Sequence, residues 1–211
     1  MMPGIAPIAV FIVAALALNI SPGPDMLYVI SRSLEQGRKA GIISALGIGA
    51  GTLMHTFVTA IGLSAILLSV PIAFEFVRYA GAAYLVYLGL RMLLERNSGK
   101  ATTEYSSSKS VRSLRSIFQQ GVTTNVLNPK VALFFLAFLP QFVDQSKGTV
   151  AFQIILLGLL FDTSGTSVNV IVATLAGHVS DSLRKRSGFA RFQKLLPASI
   201  LIALGLLVAL R

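Results

Sequence analysis

Apolar runs of about 16 to 30 residues recur along the whole chain, and a helix needs roughly 20 residues to cross about 30 Å of hydrocarbon. The pattern predicts six membrane spans: Ile5 to Ile30, Gly41 to Val70, Ile72 to Leu94, Ile117 to Val143, Thr149 to Gly177, and Leu195 to Leu210. The third span carries Glu75, Arg78 and Arg91 near its ends, where long side chains reach the headgroups. The N-terminal "MMPGIAPIAV" lacks a basic leader and an obvious cleavage site, so it reads as part of the first span. Between the third and fourth spans, the polar, serine-rich "RNSGKATTEYSSSKSVRSLRS" has no apolar period and reads as a cytoplasmic linker.

Basic residues orient this ladder. Fourteen fall in the first, third and fifth connections, against Arg78 and Lys147 in the second and fourth. By the positive-inside rule the odd connections are cytoplasmic and both termini lie outside. The linker divides the chain into a first three-helix repeat (1–95), a basic linker (96–116) and a second three-helix repeat (117–211). Three spans on each side mean that any repeat is inverted across the membrane. At an offset of 107, Phe11 meets Phe118, Pro22 meets Pro129, Gly41 meets Gly148, Gly51 meets Gly158 and Thr56 meets Thr163. The expected fold is therefore all-α and polytopic, with two inverted repeats whose first and fourth spans are broken at proline motifs.

Those motifs are "NISPGPDML" (Asn19 to Leu27) and "NVLNPKV" (Asn125 to Val131). Each places a capping residue before a proline, Ser21 before Pro22 and Asn128 before Pro129, the arrangement of a helix start. Backbone groups freed at such a start cannot stay unsatisfied in lipid, so both breaks should wall a cavity. Gly47 and Gly51 in "GIGAG" read as close helix-packing positions.

Composition agrees with a membrane protein: 54% of residues are hydrophobic and 12% charged, with a mean hydropathy of +0.76. The net charge of +10 lies mostly in short connections rather than on one amphipathic face, which argues against a nucleic-acid partner. The absence of cysteine excludes disulfides, thiolate metal sites and cysteine catalysis.

With the interfacial residues set aside, the interior of the spans holds Asp25, His55, Lys130 and Asp162. An ionised group at a span's centre costs about 2.5 to 3.5 kcal/mol, so each should face a cavity or a partner. Asp25 occupies the first turn of its half-helix, where the macrodipole favours a carboxylate. Lys130 follows Pro129, where the dipole disfavours a cation, and calls for a counter-charge or an anionic ligand. Asp162 lies mid-span, and His55 aligns with it at the same offset of 107.

The "SPGPD" motif together with "GVTTNVLNPKVALFFLAFLPQF" (Gly121 to Phe142) resembles the LysE/RhtB family of amino-acid exporters, over essentially the full length. The resemblance implies an inner-membrane, multi-pass secondary transporter exporting amino acids or close derivatives, driven by an ion gradient. Its motif positions fall on Pro22, Gly23, Pro24, Asp25, Asn128, Pro129 and Lys130; Ser21 and Asn125 complete the expected substrate-binding set. Asp25, Asp162 and His55 are the expected ion-coupling groups. The implied partners are a small amino acid, membrane lipid and a proton, with no cofactor, no metal and no nucleic acid, and a homo-oligomer left open. Two other classes stay open on the residues alone. Two buried aspartates would allow an intramembrane aspartyl enzyme, although no HExxH site or Cys/His pair is present. A metal-ion transporter has only two histidines and few buried acids to work with.

Overall fold

A computed structural model describes residues 5–69, 112–144, 146 and 148–176, with the isolated positions 79, 83, 86, 87, 90, 93, 94, 195, 198, 199, 202, 203 and 206. The third and sixth expected spans, the fifth connection and the linker up to residue 111 lie outside the described stretches. The described residues are mostly helical, without a strand.

Helix α1 spans Ile5–Ile20. At 1.5 Å per residue its 16 residues reach about 24 Å, short of the hydrocarbon thickness of about 30 Å. Helix α2, Pro24–Ser69, is interrupted at Gly37, whose φ of 83° and ψ of 175° lie in a region that only glycine visits freely. The chain reverses there. Residues 33 and 41 would lie about 12 Å apart along a continuous helix, yet a Cβ on Gly41 would overlap the Ser33 hydroxyl. The first connection is thus a tight hairpin between arms 24–36 and 38–69.

Helix α3, Leu114–Val126, starts three residues before the expected second-repeat boundary because Ser113 caps it, accepting a hydrogen bond from Ser116 N at 3.2 Å. Helix α4, Pro129–Leu133, follows a two-residue break and runs into a π turn (Phe134–Phe138) and a 3₁₀ turn (Leu139–Phe142). The two parts of this broken pair meet at 46°. Helix α5, Val150–Ala176, matches the expected fifth span to within a residue at each end. Helices α2 and α5 are long and apolar enough to cross a membrane, and the bent α3–α4 pair makes a third if it counts as one span.

Small residues set the packing. Along the long arm of α2, a Cβ on Gly47 would meet Phe118 O, and one on Gly51 would lie 2.8 Å from Asn125 Cβ. Numbers rise together on both helices, so α2 and α3 run parallel. On another face of the same arm, Gly41 meets Ala173, Gly49 meets Thr166 and Thr56 meets Gly158, so α2 and α5 run antiparallel. Backbones this close gain dispersion contacts that lipid cannot supply. Large apolar side chains such as Val58, Ile61, Phe152 and Ile171 point outward.

The core proper is aromatic. Phe11 of α1 sits among Phe134, Phe138 and Phe142 with ring centroids 5.3 to 6.5 Å away, and Phe161 of α5 stacks on Phe134 at 4.6 Å. At the hairpin end, Tyr28 donates to Ile117 O at 2.7 Å, and Arg32 lies over the Tyr28 ring and pairs with Glu35 at 3.0 Å. The start of α3 and the Gly37 hairpin therefore share one end of the bundle.

Candidate functional site

The first break begins where α1 runs out of donors. Ser21 N still bonds Ala17 O at 3.1 Å, so Ser21 belongs to the last turn of α1. Pro22 has no N–H for Leu18 O, the acceptor four residues back, and that carbonyl is left open. The chain then turns through Gly23, whose carbonyl accepts from Leu27 N at 3.0 Å, and α2 starts at Pro24. The expectation that Ser21 caps a half-helix opening at Pro22 is corrected: Pro24 opens it, two residues later, because Ser21 is still committed to α1. Asp25 does fall in the first turn.

The second break keeps the expected form. Asn128 is the N-cap, its Oδ1 accepting from Lys130 N at 3.0 Å, with Pro129 at the first helical position. Pro129 likewise leaves Asn125 O without its usual helical donor. Asn128 N takes that carbonyl at 2.9 Å, and His55 Nε2 lies 3.2 Å from it. The His55 ring stacks on Phe135, with centroids 5.8 Å apart.

The two breaks meet. Lys130 Nζ donates to Leu18 O at 2.7 Å, to Ser21 O at 2.7 Å and to Ser21 Oγ at 3.1 Å. The ammonium thus occupies the negative end of the α1 dipole and takes the carbonyl that Pro22 leaves open. A counter-charge or an anionic ligand was expected at Lys130; the C-terminal carbonyls of α1 hold the ammonium here, and no direct ion pair joins it to Asp25. Asp25 Oδ2 accepts from Asn125 Nδ2 at 2.8 Å. Asn128 lies beside the same carboxylate, but Asp25 Oδ1 is buried and meets no donor at hydrogen-bond geometry among the described residues.

Between these groups lies a cavity of about 30 Å³, walled by Asn19, Ser21, Asp25, Asn128, Lys130 and Asn169 among others. A second, of about 20 Å³, shares Asn19, Asp25 and Asn169 and reaches Asn125, Thr52 and Thr166. Each has room for a water or two. Anything the size of an amino acid enters only if the helices part or a side chain leaves. Of the residues singled out from sequence, Ser21, Gly23, Asp25, Asn128 and Lys130 line the first cavity and Asn125 the second. Pro22, Pro24 and Pro129 shape the breaks from exposed positions. His55 stands behind Asn125. Asp162 lines neither cavity: it accepts from Thr166 Oγ1 at 3.2 Å and faces Gly49.

Three polar residues escaped the sequence reading. Asn19 ties α1 to α5 by donating to Ser164 Oγ at 3.0 Å, and Thr166 and Asn169 reach the cavities from α5. A signal was present. Asp162, Thr166 and Asn169 follow at i, i+4 and i+7, one polar stripe on an otherwise oily helix.

Comparison with known proteins bears directly on this arrangement. The family model described as LysE type translocator matches residues 16–211, a stretch that contains both breaks. The chain belongs to the LysE family of translocators. It is 29% identical over 204 residues to the uncharacterized membrane protein YrhP of Bacillus subtilis, covering 93% of this chain and 95% of that protein. It is 33% identical over 136 residues to the leucine efflux proteins of Salmonella choleraesuis and Salmonella typhimurium, covering 64% of this chain and 62% of those proteins. No solved structure matches. As a LysE-type translocator the protein is a membrane protein, and its polar chamber lies between the broken helices of the matched region.

Proposed function

We propose that the protein exports amino acids or close derivatives across the cytoplasmic membrane by proton antiport. One observation carries this reading: two broken helices meet so that a lysine ammonium, a half-free carboxylate and several amides surround one chamber. The helix that starts at Pro24 presents the positive end of its dipole to a substrate carboxylate, whereas the first amides of the helix at Pro129 are already taken by Asn128. Asp25, with one oxygen that meets no donor among the described residues, is placed to take up a proton from one side and release it on the other. The leucine efflux relatives make leucine the first substrate to test.

The architecture proposed with this function is six spans in two inverted three-helix repeats, 1–95 and 117–211, joined by the linker 96–116. Support comes from helix directions. Helices α2 and α3 run parallel, as one crossing between them requires, and α2 and α5 run antiparallel, as inverted counterparts do. Ser21, Gly23, Asp25, Asn125, Asn128 and Lys130 form the proposed substrate site, shaped by Pro22, Pro24 and Pro129. Asp25 is the leading coupling group, with His55 and Asp162 placed behind the chamber walls.

The test is efflux from loaded cells of an exporter-deficient bacterium, with leucine first and then the other amino acids. Expression of the protein should speed efflux of at least one, and Asp25→Asn or a protonophore should abolish it. Efflux of none at full membrane expression would refute the export reading. Efflux that survives the protonophore would refute antiport alone.

A further inference from the structure

The chamber assigns the two ends of its substrate. Three oxygens converge on Lys130 Nζ: Leu18 O and Ser21 O at 2.7 Å and Ser21 Oγ at 3.1 Å. Three acceptors around a tetrahedral N–H₃⁺ satisfy its donors, and two of them are carbonyls at a helix's negative end. This is a built ammonium site. Its existence follows from the sequence of the break, since Pro22 removes the donor that would close Leu18 O.

We propose that this carbonyl cradle at the end of α1 is the binding site for the substrate's α-ammonium group, and that Lys130 is its tethered occupant in the substrate-free state. An arriving zwitterion inserts between the lysine and the cradle. Its ammonium takes Leu18 O, Ser21 O and Ser21 Oγ, and the displaced Lys130 ammonium meets the substrate carboxylate. The exchange leaves neither ammonium without acceptors and the net charge of the chamber unchanged, which limits the desolvation cost of each step.

The seated lysine runs alongside Gly23, where a Cβ would stand 3.5 Å from Lys130 Cδ and Nζ. The cavity of about 30 Å³ is too small for an amino acid, and in this exchange release of the lysine supplies part of the room for the substrate. When substrate leaves, Lys130 closes the cradle again, and the carbonyls are never bare in the membrane. Asp25 Oδ2 is held by Asn125 and takes no part in this exchange, which frees the carboxylate for the proton.

This inference rests on the export reading, and two experiments separate them. Lys130→Ala removes Cγ, Cδ, Cε and Nζ, the atoms that n-propylammonium supplies. In detergent, n-propylammonium chloride should raise the melting temperature of Lys130→Ala saturably. It should leave unshifted the wild type, whose cradle is filled, and Lys130→Met, whose side chain blocks it. Tetramethylammonium, which has no N–H to donate, should have no effect on any of them. No shift in Lys130→Ala, or an equal shift with tetramethylammonium, would overturn the ammonium site whether or not the wild type exports amino acids.

The second experiment needs only wild-type protein and stands even if Lys130→Ala does not accumulate. In liposomes, the amino acid exported best should lose about a hundredfold or more of its export on N-acetylation, because the acyl group removes the charge and two donors. Export of the N-acetyl derivative at the parent's rate would refute the cradle while leaving the exporter intact.

Discussion

Asn125 is the residue through which α3 controls Asp25, and replacing it by alanine makes a quantitative test. Its Nδ2 donates to Asp25 Oδ2 at 2.8 Å, the one hydrogen bond at good geometry on a carboxylate whose other oxygen has none among the described residues. A hydrogen bond to a charged group contributes about 1.5 to 3 kcal/mol. The second side-chain contact, Thr52 Oγ1 to Asn125 Oδ1, is long at 3.4 Å, and Thr52 also bonds Ile48 O, so its loss adds little. The His55 contact goes to the Asn125 backbone and survives the change. Asn125→Ala should therefore cost about 2 kcal/mol, roughly a thirtyfold fall in the folded-to-unfolded ratio. The assay is a double-mutant cycle with Asp25→Ala, read by reversible unfolding in mixed micelles. The two changes should be coupled by at least about 1.5 kcal/mol. Additivity to within about 0.5 kcal/mol would refute the bond as a determinant of the chamber, whatever the single variants do.

Other substitutions probe the frame around the chamber. Gly51→Val forces a Cβ to within 2.8 Å of Asn125 Cβ and 3.0 Å of Val122 O, so it should destabilise by about 1 to 3 kcal/mol and stop export. Gly62→Ala, with nothing within 4 Å, should be neutral or stabilise by up to about 1 kcal/mol, and a thermal melt that ranks the two the other way would contradict the packing. Gly37→Ala has open space but an unfavourable φ of 83°, and should cost about 1 to 3 kcal/mol through strain alone, measured by the same unfolding assay. Reporters fused after Gly99 and near Ser187 should read cytoplasmic and one after Ser146 external; an external reading at Gly99 would rule out the inverted six-span arrangement.

Much of the frame is local and was legible in the chain. The fifth span came out to within a residue at each end, because hydrophobic length alone decides how much helix a bilayer holds. The second break was readable as Asn128 then Pro129, because capping and a missing N–H act within four residues. The positions of Asp25 in a first turn and of Gly47 and Gly51 against a neighbouring backbone follow from the same short-range rules.

What escaped the sequence reading depends on partners far away along the chain. Two prolines in "SPGP" could each open a helix, and the choice of Pro24 was made by Ser21, which stays in α1 while Lys130, 109 residues away, holds its carbonyl and hydroxyl. Lys130 suggested a missing anion because its own helix repels it; packing supplied the end of another helix instead, a dipole that no motif at Lys130 announces. Asp162 and Asp25 were both expected as coupling groups, yet Asp162 bonds Thr166 beside Gly49 and lines neither cavity, while Thr166 and Asn169 of the same stripe reach them. A proline determines which carbonyl is left open, since that bond would have formed four residues away; which ammonium fills it is decided only when helices more than a hundred residues apart are packed together.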